Sequence, residues 1–419
     1  MKKIWKFLLD NSLLLVLGAV IGLVWANVHH GSYEHLLHLH FDWMNNPYFG
    51  TPQADGVRHF DVHYLINDFL MAFFFMAAGK EVFEATFPGG ALHNPRHAAT
   101  PLIATAGGVL GPIFVFCLMG YFFGGSFGYH WTADPAISQA AAAGTAGAVD
   151  FSRGWAIPTA TDIAFSAMVA RLIFGGRHPA VPFLLLLAIA DDAVGLVIIA
   201  LFYGTGSIQP LWFLLTAAAM AIGFTLNKKF GVQSPIPYFL LMLVSWFSFG
   251  MAGIHTSLGF IPIVLTMPHA AEDDGVHSED ERGKTDTLNR LTSACYVPTE
   301  IILGLFGLAS AGVVLSSAGF PTVVVMTSLI VGKCIGIFLF GGFSAKILRF
   351  GLPDGMNYRD LLVLGSVAGI GFTVALFVAG VAYPPGELQD AAKLGALLSL
   401  CSAIVAFILS KICKTQKMS

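Results

Sequence analysis

The chain has 419 residues, 56% hydrophobic and only 11% charged, with 36 Phe and a net charge of −3; its mean hydropathy is +0.73. A water-soluble domain carries about 25% charged residues, so the composition excludes one and predicts an all-α polytopic membrane protein. No basic face exists to neutralise phosphates, which excludes a nucleic-acid partner, and the five cysteines lack ligand spacing, so neither disulfides nor a cofactor are implied.

At the start of the chain, a basic stretch ending at Lys6 and the apolar run 13–28 look like a signal peptide. Trp25-Ala26-Asn27 offers no small-x-small cleavage site, so the run reads as a retained first span. Apolar stretches of about 20 residues then predict spans at 12–28, 64–86, 98–123, 153–173, 180–203, 210–227, 235–248, 253–267, 288–313, 321–345, 359–382 and 391–413. These twelve, two of them short, form one transporter domain over 1–419.

Loop charges test that count, because Lys and Arg concentrate on cytoplasmic loops. With the N-terminus inside, seventeen fall on inner segments and three outside, namely Arg58, Arg153 and Lys393. Both termini are therefore expected in the cytoplasm. The external loop 29–63 contains an alternating stretch at 57–62 that predicts a small β-hairpin, a candidate contact for a homodimer. His29, His30, His35, His38 and His40 in this loop read as solvated surface histidines, not metal ligands. Segment 124–152 is rich in Ala and Gly, and the cytoplasmic loop 268–287 is a solvated charge run.

Asp191 and Asp192 lie in the middle of the fifth span. A carboxylate at that depth costs about 2.5 to 3.5 kcal/mol on insertion scales, so the pair marks a functional site. Asp162 on span 4 and Lys333 on span 10 lie at similar depth, and span 2 carries Asp68, Lys80, Glu81 and Glu84. Two spans are interrupted at the same level, one at Pro158-Thr159-Ala160-Thr161-Asp162 and the other at Gly369-Ile370-Gly371-Phe372-Thr373. Proline removes a backbone donor and glycine releases the helix, which predicts two discontinuous helices. If spans 3–5 and 10–12 form two triplets, each broken helix is the middle member and the triplets are inverted, the arrangement that marks a midplane site in secondary transporters.

Half-helix N-ends carry partial positive charge and C-ends partial negative charge, which Asp162 and Lys333 are placed to offset. Charge balance and direct ion contact are both open to these two residues. Asp191 and Asp192 differ by about 100° around the helix. At ~5 Å and an effective dielectric of about 20 they repel by about 3 kcal/mol, so the empty pair holds a proton or engages Lys333. A small cation and protons then compete for the same oxygens, the minimal chemistry of cation/proton antiport without cofactor or ATP.

The stretch Gly154-Trp155-Ala156-Ile157-Pro158-Thr159-Ala160-Thr161-Asp162-Ile163-Ala164-Phe165 resembles the signature of the NhaA sodium/proton antiporters. Also similar are Ala188 to Asp192, Gly253 to Leu258, Gly332-Lys333, Gly369 to Thr373, Ile66-Asn67-Asp68 and Gly79 to Val82. The likeness runs in order from about 60 to 410. It implies a bacterial inner-membrane protein in which Asp191 and Asp192 bind Na⁺ (or Li⁺) and protons, with Asp192 the firmer cation ligand. It further places Thr161 and Asp162 at the helix crossing, makes Lys333 the partner of Asp191 or Asp162, and implies electrogenic exchange of two protons per Na⁺.

Departures fall where members of the family carry a cluster linked to pH activation. Glu81 is retained, but Glu84 stands where a base is expected, the start of span 9 (288–295) has neither Glu nor His, and Glu300 is an unexpected buried acid. Glu300 is either a proton-path residue or the partner of a neighbour such as Lys80, and His255 is either a titrating group or a hydrogen-bonded helix-end residue. The competing activities are a sodium-coupled symporter of an organic solute on the same fold and an intramembrane aspartyl hydrolase, for which the usual Gly-x-Gly-Asp segment is missing.

Overall fold

The computed structural model describes residues 9, 12–41, 49–52, 58–86, 95–127, 129, 150–204, 208–268 and 286–418. Most of segment 124–152 and of loop 268–287 therefore lies outside the described residues. In chain order the elements are α1 (Leu13–Val28), α2 (His30–Leu37), β1 (Thr51–Pro52), β2 (Arg58–His59), α3 (Val62–Thr86) and α4 (Pro95–Phe123). Then come α5 (Phe151–Thr159, 3-10 wound), α6 (Ile163–Phe174), α7 (Ala180–Phe202), α8 (Pro210–Lys228), α9 (Pro235–Ala252) and α10 (Thr287–Ser310). The last are α11 (Phe320–Lys346), α12 (Tyr358–Ala368), α13 (Phe372–Ala382) and α14 (Glu387–Cys413).

Among the described residues, eight helices are long and apolar enough to cross a membrane, and two bent pairs, α5–α6 and α12–α13, bring the number to ten. The protein is a multi-pass membrane protein. Of the remaining two expected spans, α1 has 16 residues, about 24 Å at the helical rise, less than the hydrocarbon core of about 30 Å.

Segment 253–267, expected as a short span, is not one helix. Gly253 (φ 80) closes α9, a 3-10 turn covers Thr256–Leu258, and the helix Ile261–Val264 is only four residues long. Its hydropathy has another cause. Phe260, Ile263, Val264 and Met267 are buried in a protein core with Ala72, Met76, Tyr238, Met242 and Leu288.

The chain divides into two compact units, Met1–Asn94 with Leu196–Gly312, and Pro95–Gly195 with Val313–Ser419. In the first, α1 packs on α10 backbone to backbone, so a Cβ on Gly18 would lie 2.0 Å from Gly304 O. In the second, α4 and α11 meet the same way through Gly107 and Gly111 against Gly332 and Gly336, with a Cβ on Gly107 lying 2.2 Å from Gly336 O. Small residues allow this approach, and dispersion then holds the helices without a hydrophobic driving force. The second unit holds α4, the α5–α6 pair and α7 as far as Gly195, together with α11, the α12–α13 pair and α14.

In the first unit, β1 and β2 pair antiparallel, Thr51 with His59 and Pro52 with Arg58. Asp61 ties this corner together, accepting from the Tyr64 N–H (2.7 Å), Thr51 Oγ1 (3.0 Å) and His38 Nδ1 (3.2 Å). Hydrogen bonds to Asp61 and then to Glu34 raise the His38 imidazole to about 10. Burial alone would push the Asp61 carboxyl up, but the bonds from His38 and Tyr64 outweigh it and hold the carboxyl below its ordinary value.

The signs define a window. The raised histidine stabilises fully below its ordinary 6.5, and that contribution is lost as pH rises through about 10. The lowered aspartate stabilises above its ordinary 3.8 and loses that contribution as pH falls. His38→Gln should therefore lower the Tm most near pH 6 and leave it nearly unchanged near pH 10, as read by intrinsic fluorescence in detergent.

Candidate ion-binding site

The site in the second unit begins with the backbone. The α5–α6 and α12–α13 pairs each bend by 47°. Between them residues 160–162, extended at Ala160 and Asp162, touch the turn 369–371, and the Asp162 N–H donates to Ile370 O at 2.7 Å. Gly371 is required by this crossing, since a Cβ there would lie 2.9 Å from Ala160 O and 2.6 Å from Leu329 Cδ2.

Four half-helix ends meet at the breaks, and each needs partners for its freed groups. Asp162 caps α6 by accepting the Phe165 N–H (3.1 Å), and it also accepts the N–H (3.3 Å) and the hydroxyl of Thr373 in the first turn of α13. One carboxylate thus faces two helix N-ends. The last carbonyls of α12 are met by hydroxyls, Ser402 on Ser366 O (2.6 Å), Ser166 on Val367 O (3.2 Å) and Thr161 on Ala368 O (3.0 Å). The Gly371 N–H donates to Ser399 Oγ (3.2 Å).

Of the two roles left open for Lys333, the geometry favours the ion pair: Nζ lies 2.5 Å from both Asp191 Oδ2 and Thr161 Oγ1, while hydroxyls serve the C-end carbonyls. The Lys333 and Asp191 side chains are fully buried. Of the two candidate partners, Lys333 takes Asp191. A π-wound turn, Ser328–Gly332, immediately precedes Lys333; such turns recur at functional sites. Thr161 Oγ1 also lies 2.7 Å from Asp191 Oδ2. Its single proton serves either Asp191 or Ala368 O, and the oxygen accepts from Lys333. Asp191 Oδ1 is buried and lacks a hydrogen-bond partner among the described residues. Asp192, the next residue on α7, is also buried.

Thr373, Ser166, Ser399 and Ser402 were not singled out from sequence. Thr373 lay in view as the end of the Gly369 motif; the serines sit on helix faces with no pattern to mark them. Thr373→Val removes a hydroxyl from a buried carboxylate and should destabilise by about 1.5–3 kcal/mol. A lowered Tm that Thr373→Ser restores would be the observation.

The other sequence candidates lie in the first unit. Asp68 sits in a second π-wound turn, Leu65–Leu70, and accepts from Thr256 Oγ1 (2.8 Å), with His255 Nε2 at 3.8 Å. His255 Nδ1 pairs with Ser257 Oγ at 2.8 Å. Glu84 forms a buried ion pair with Lys80 at 2.7 Å, and Glu300 accepts from Ser12 Oγ at 3.0 Å. Glu81, half-buried, lies on the same helix as Glu84.

Two helices broken at one crossing, with a buried acid–base pair against the breaks of a multi-pass membrane protein, form the architecture of a secondary transporter. The family model described as Na⁺/H⁺ antiporter 1 matches residues 7–132 and 132–410. The chain belongs to this family. It is 46% identical to the Na⁺/H⁺ antiporter NhaA of Jannaschia sp. (strain CCS1), covering 100% of this chain and 99% of that protein. It is 40% identical to the NhaA of Desulfitobacterium hafniense (strain DSM 10664 / DCB-2), covering 99% and 97%, and 38% identical to that of Geobacter metallireducens, covering 100% of both. NhaA is itself among the transporters that illustrate the broken-helix rule.

Proposed function

We propose that the protein exchanges Na⁺, or Li⁺, for H⁺ by alternating access, with Asp191, Asp192, Thr161 and Lys333 as the ion and proton site. The observation that carries this reading is the buried Lys333–Asp191 pair, whose second carboxylate oxygen lacks a hydrogen-bond partner among the described residues, with Asp192 next in the chain. The donor set suits a hard cation, which prefers oxygen ligands.

The resemblance implies two protons per Na⁺, and Asp192 and Lys333 are the groups that would release them. Without Na⁺, Lys333 is protonated against Asp191 and Asp192 holds a proton, so the site is neutral. Na⁺ takes both carboxylates, displaces the Asp192 proton and replaces the ammonium as partner of Asp191, releasing a second proton from Lys333. Two protons against one Na⁺ make the exchange electrogenic. Asp162 balances the half-helix N-ends and holds the crossing rigid.

The same reading places twelve crossings in a bacterial inner membrane, the short turns of 253–267 counting as one, with cytoplasmic termini and inverted triplets. The β1–β2 pair faces outward as a homodimer contact, and the unit-one acids with His255 tune pH response. A sodium-coupled symporter finds no support, since each relative named above is an antiporter. The test uses proteoliposomes with an imposed proton gradient and an internal pH dye. Na⁺ or Li⁺ should dissipate the gradient; dissipation independent of either cation would overturn the proposal.

A further inference from the structure

We infer that an anionic phospholipid of the leaflet facing the cytoplasm occupies a groove on the outer face of α11, with one acyl chain along the helix and its phosphate on Lys346. The groove is an open cavity of about 790 Å³ formed by the C-terminal half of α11 and the first residue of α12. Leu339, Phe340, Phe343 and Ile347 line it together with Lys346 and Tyr358, its two polar side chains. The site goes beyond the antiport reading and does not depend on it.

Helical spacing explains the groove. Positions 339, 342, 343 and 346 recur on one face of α11, while Gly341, Ser344 and Ala345 are buried on the other, where Gly341 meets Leu361 of α12 and Ala104 of α4. Gly342 keeps the trough open, since a Cβ there would meet nothing within 4 Å. Leu339 is 58% exposed and Ile347 64%, so the apolar wall is left for the bilayer to cover.

Length and charge select the occupant. From Phe338 to Lys346 the groove follows α11 for about 12 Å, close to half of a hydrocarbon core of about 30 Å, the depth that one acyl chain reaches from its headgroup. Lys346 ends α11 on the side where loop charges predict the cytoplasm. Its stem can cover the apolar wall while the ammonium reaches headgroup level, and an exposed tyrosine such as Tyr358 suits the same interface.

Within 346–360 the exposed charges are Lys346, Arg349 and Arg359 against Asp354. The other acid, Asp360, is buried and accepts the Asn357 N–H at 2.9 Å. Basic pockets between helices on the cytoplasmic side take anionic headgroups. The end of α12 adds nothing to this, because the Arg359 and Asp360 N–H groups already donate to Asn357 Oδ1 at 2.9 and 3.1 Å. Side-chain cations therefore hold the phosphate.

The test offers delipidated protein in neutral detergent equimolar phosphatidylglycerol and phosphatidylcholine with the same chains, and counts retained lipid by native mass spectrometry. The wild type should retain one phosphatidylglycerol in preference. Lys346→Gln should lower that preference about fivefold, the contribution of one interfacial cation. Gly342→Leu, which fills the trough and keeps every charge, should lose the retained lipid. Lys417→Gln, which removes an exposed cation of the C-terminal tail, should behave as wild type.

Equal retention of the two lipids by the wild type, or an unchanged preference in Lys346→Gln, overturns the site. An equal fall in Lys417→Gln does so as well, because the preference would then follow net charge. A dimer that Gly342→Leu separates without changing retained lipid would put a second copy of the chain in the groove and overturn the lipid. If Gly342→Leu does not fold, the Lys346→Gln preference decides alone. Thermal unfolding gives a second readout: phosphatidylglycerol should raise the wild-type Tm above the value in phosphatidylcholine by binding the folded state, and a difference of the same size in Lys346→Gln overturns the proposal. Neither measurement involves Na⁺ flux, so failure of the antiport reading leaves the result standing.

Discussion

Asp192→Asn should abolish Na⁺-evoked proton flux in proteoliposomes while leaving the fold intact. The amide matches the carboxylate in shape, so packing on α7 is kept, but it carries no charge and releases no proton. At ~4 Å and an effective dielectric of about 20, a second carboxylate is worth up to about 4 kcal/mol to a bound monovalent cation, about three decades in affinity. The variant should also lose the rise in Tm that Na⁺ gives the wild type by binding the folded state. Asp191→Asn should lose flux as well, and additionally leave the Lys333 ammonium without its partner at 2.5 Å. Flux in Asp192→Asn equal to wild type would remove Asp192 from the site.

Much of the site was legible in sequence because its residues violate the rules of their surroundings. Asp191, Asp192, Asp162 and Lys333 are costly in apolar helices, and Pro158, Gly369 and Gly371 break helices where nothing in the membrane rewards a break. Partner choice was not legible. Asp162 and Lys333 are equally deep by count, and only the crossing of 160–162 with 369–371 sends Asp162 to Thr373 and Lys333 to Asp191. The π-wound turns at Leu65–Leu70 and Ser328–Gly332 leave no mark on hydropathy. In segment 253–267 hydropathy did not show that the chain breaks into short turns, because Phe260, Ile263 and Val264 are buried with Tyr238 and Met242 in a protein core and hydropathy does not distinguish that burial from lipid.

Asp162 and Lys333 also divide the labour of charge differently from the symmetric scheme suggested by half-helix dipoles. One acid at two N-ends is an economical match, since each end presents about half a positive charge. The C-end carbonyls are satisfied by neutral hydroxyls from Thr161, Ser166 and Ser402. The ammonium of Lys333 is therefore free of structural duty toward the C-ends and stays with the acid that Na⁺ must claim. On the proposed reading, that assignment makes the lysine a proton carrier.

Lys333→Gln should convert the exchange from electrogenic to electroneutral. If Lys333 supplies one of two protons per Na⁺, the variant moves one proton for one cation and transfers no net charge. Moving one charge through 100 mV is worth about 2.3 kcal/mol, so a valinomycin-clamped potential of that size should shift the wild-type Na⁺ equilibrium about 50-fold and leave the variant unmoved. Removing the ammonium also leaves Asp191 buried without its counterion, which in broken buried pairs costs about 3–5 kcal/mol. The same variant should thus show a lowered Tm that Na⁺ partly restores, because the cation replaces the missing charge. A Lys333→Gln exchanger that still responds to potential like the wild type would mean that the second proton leaves from another group.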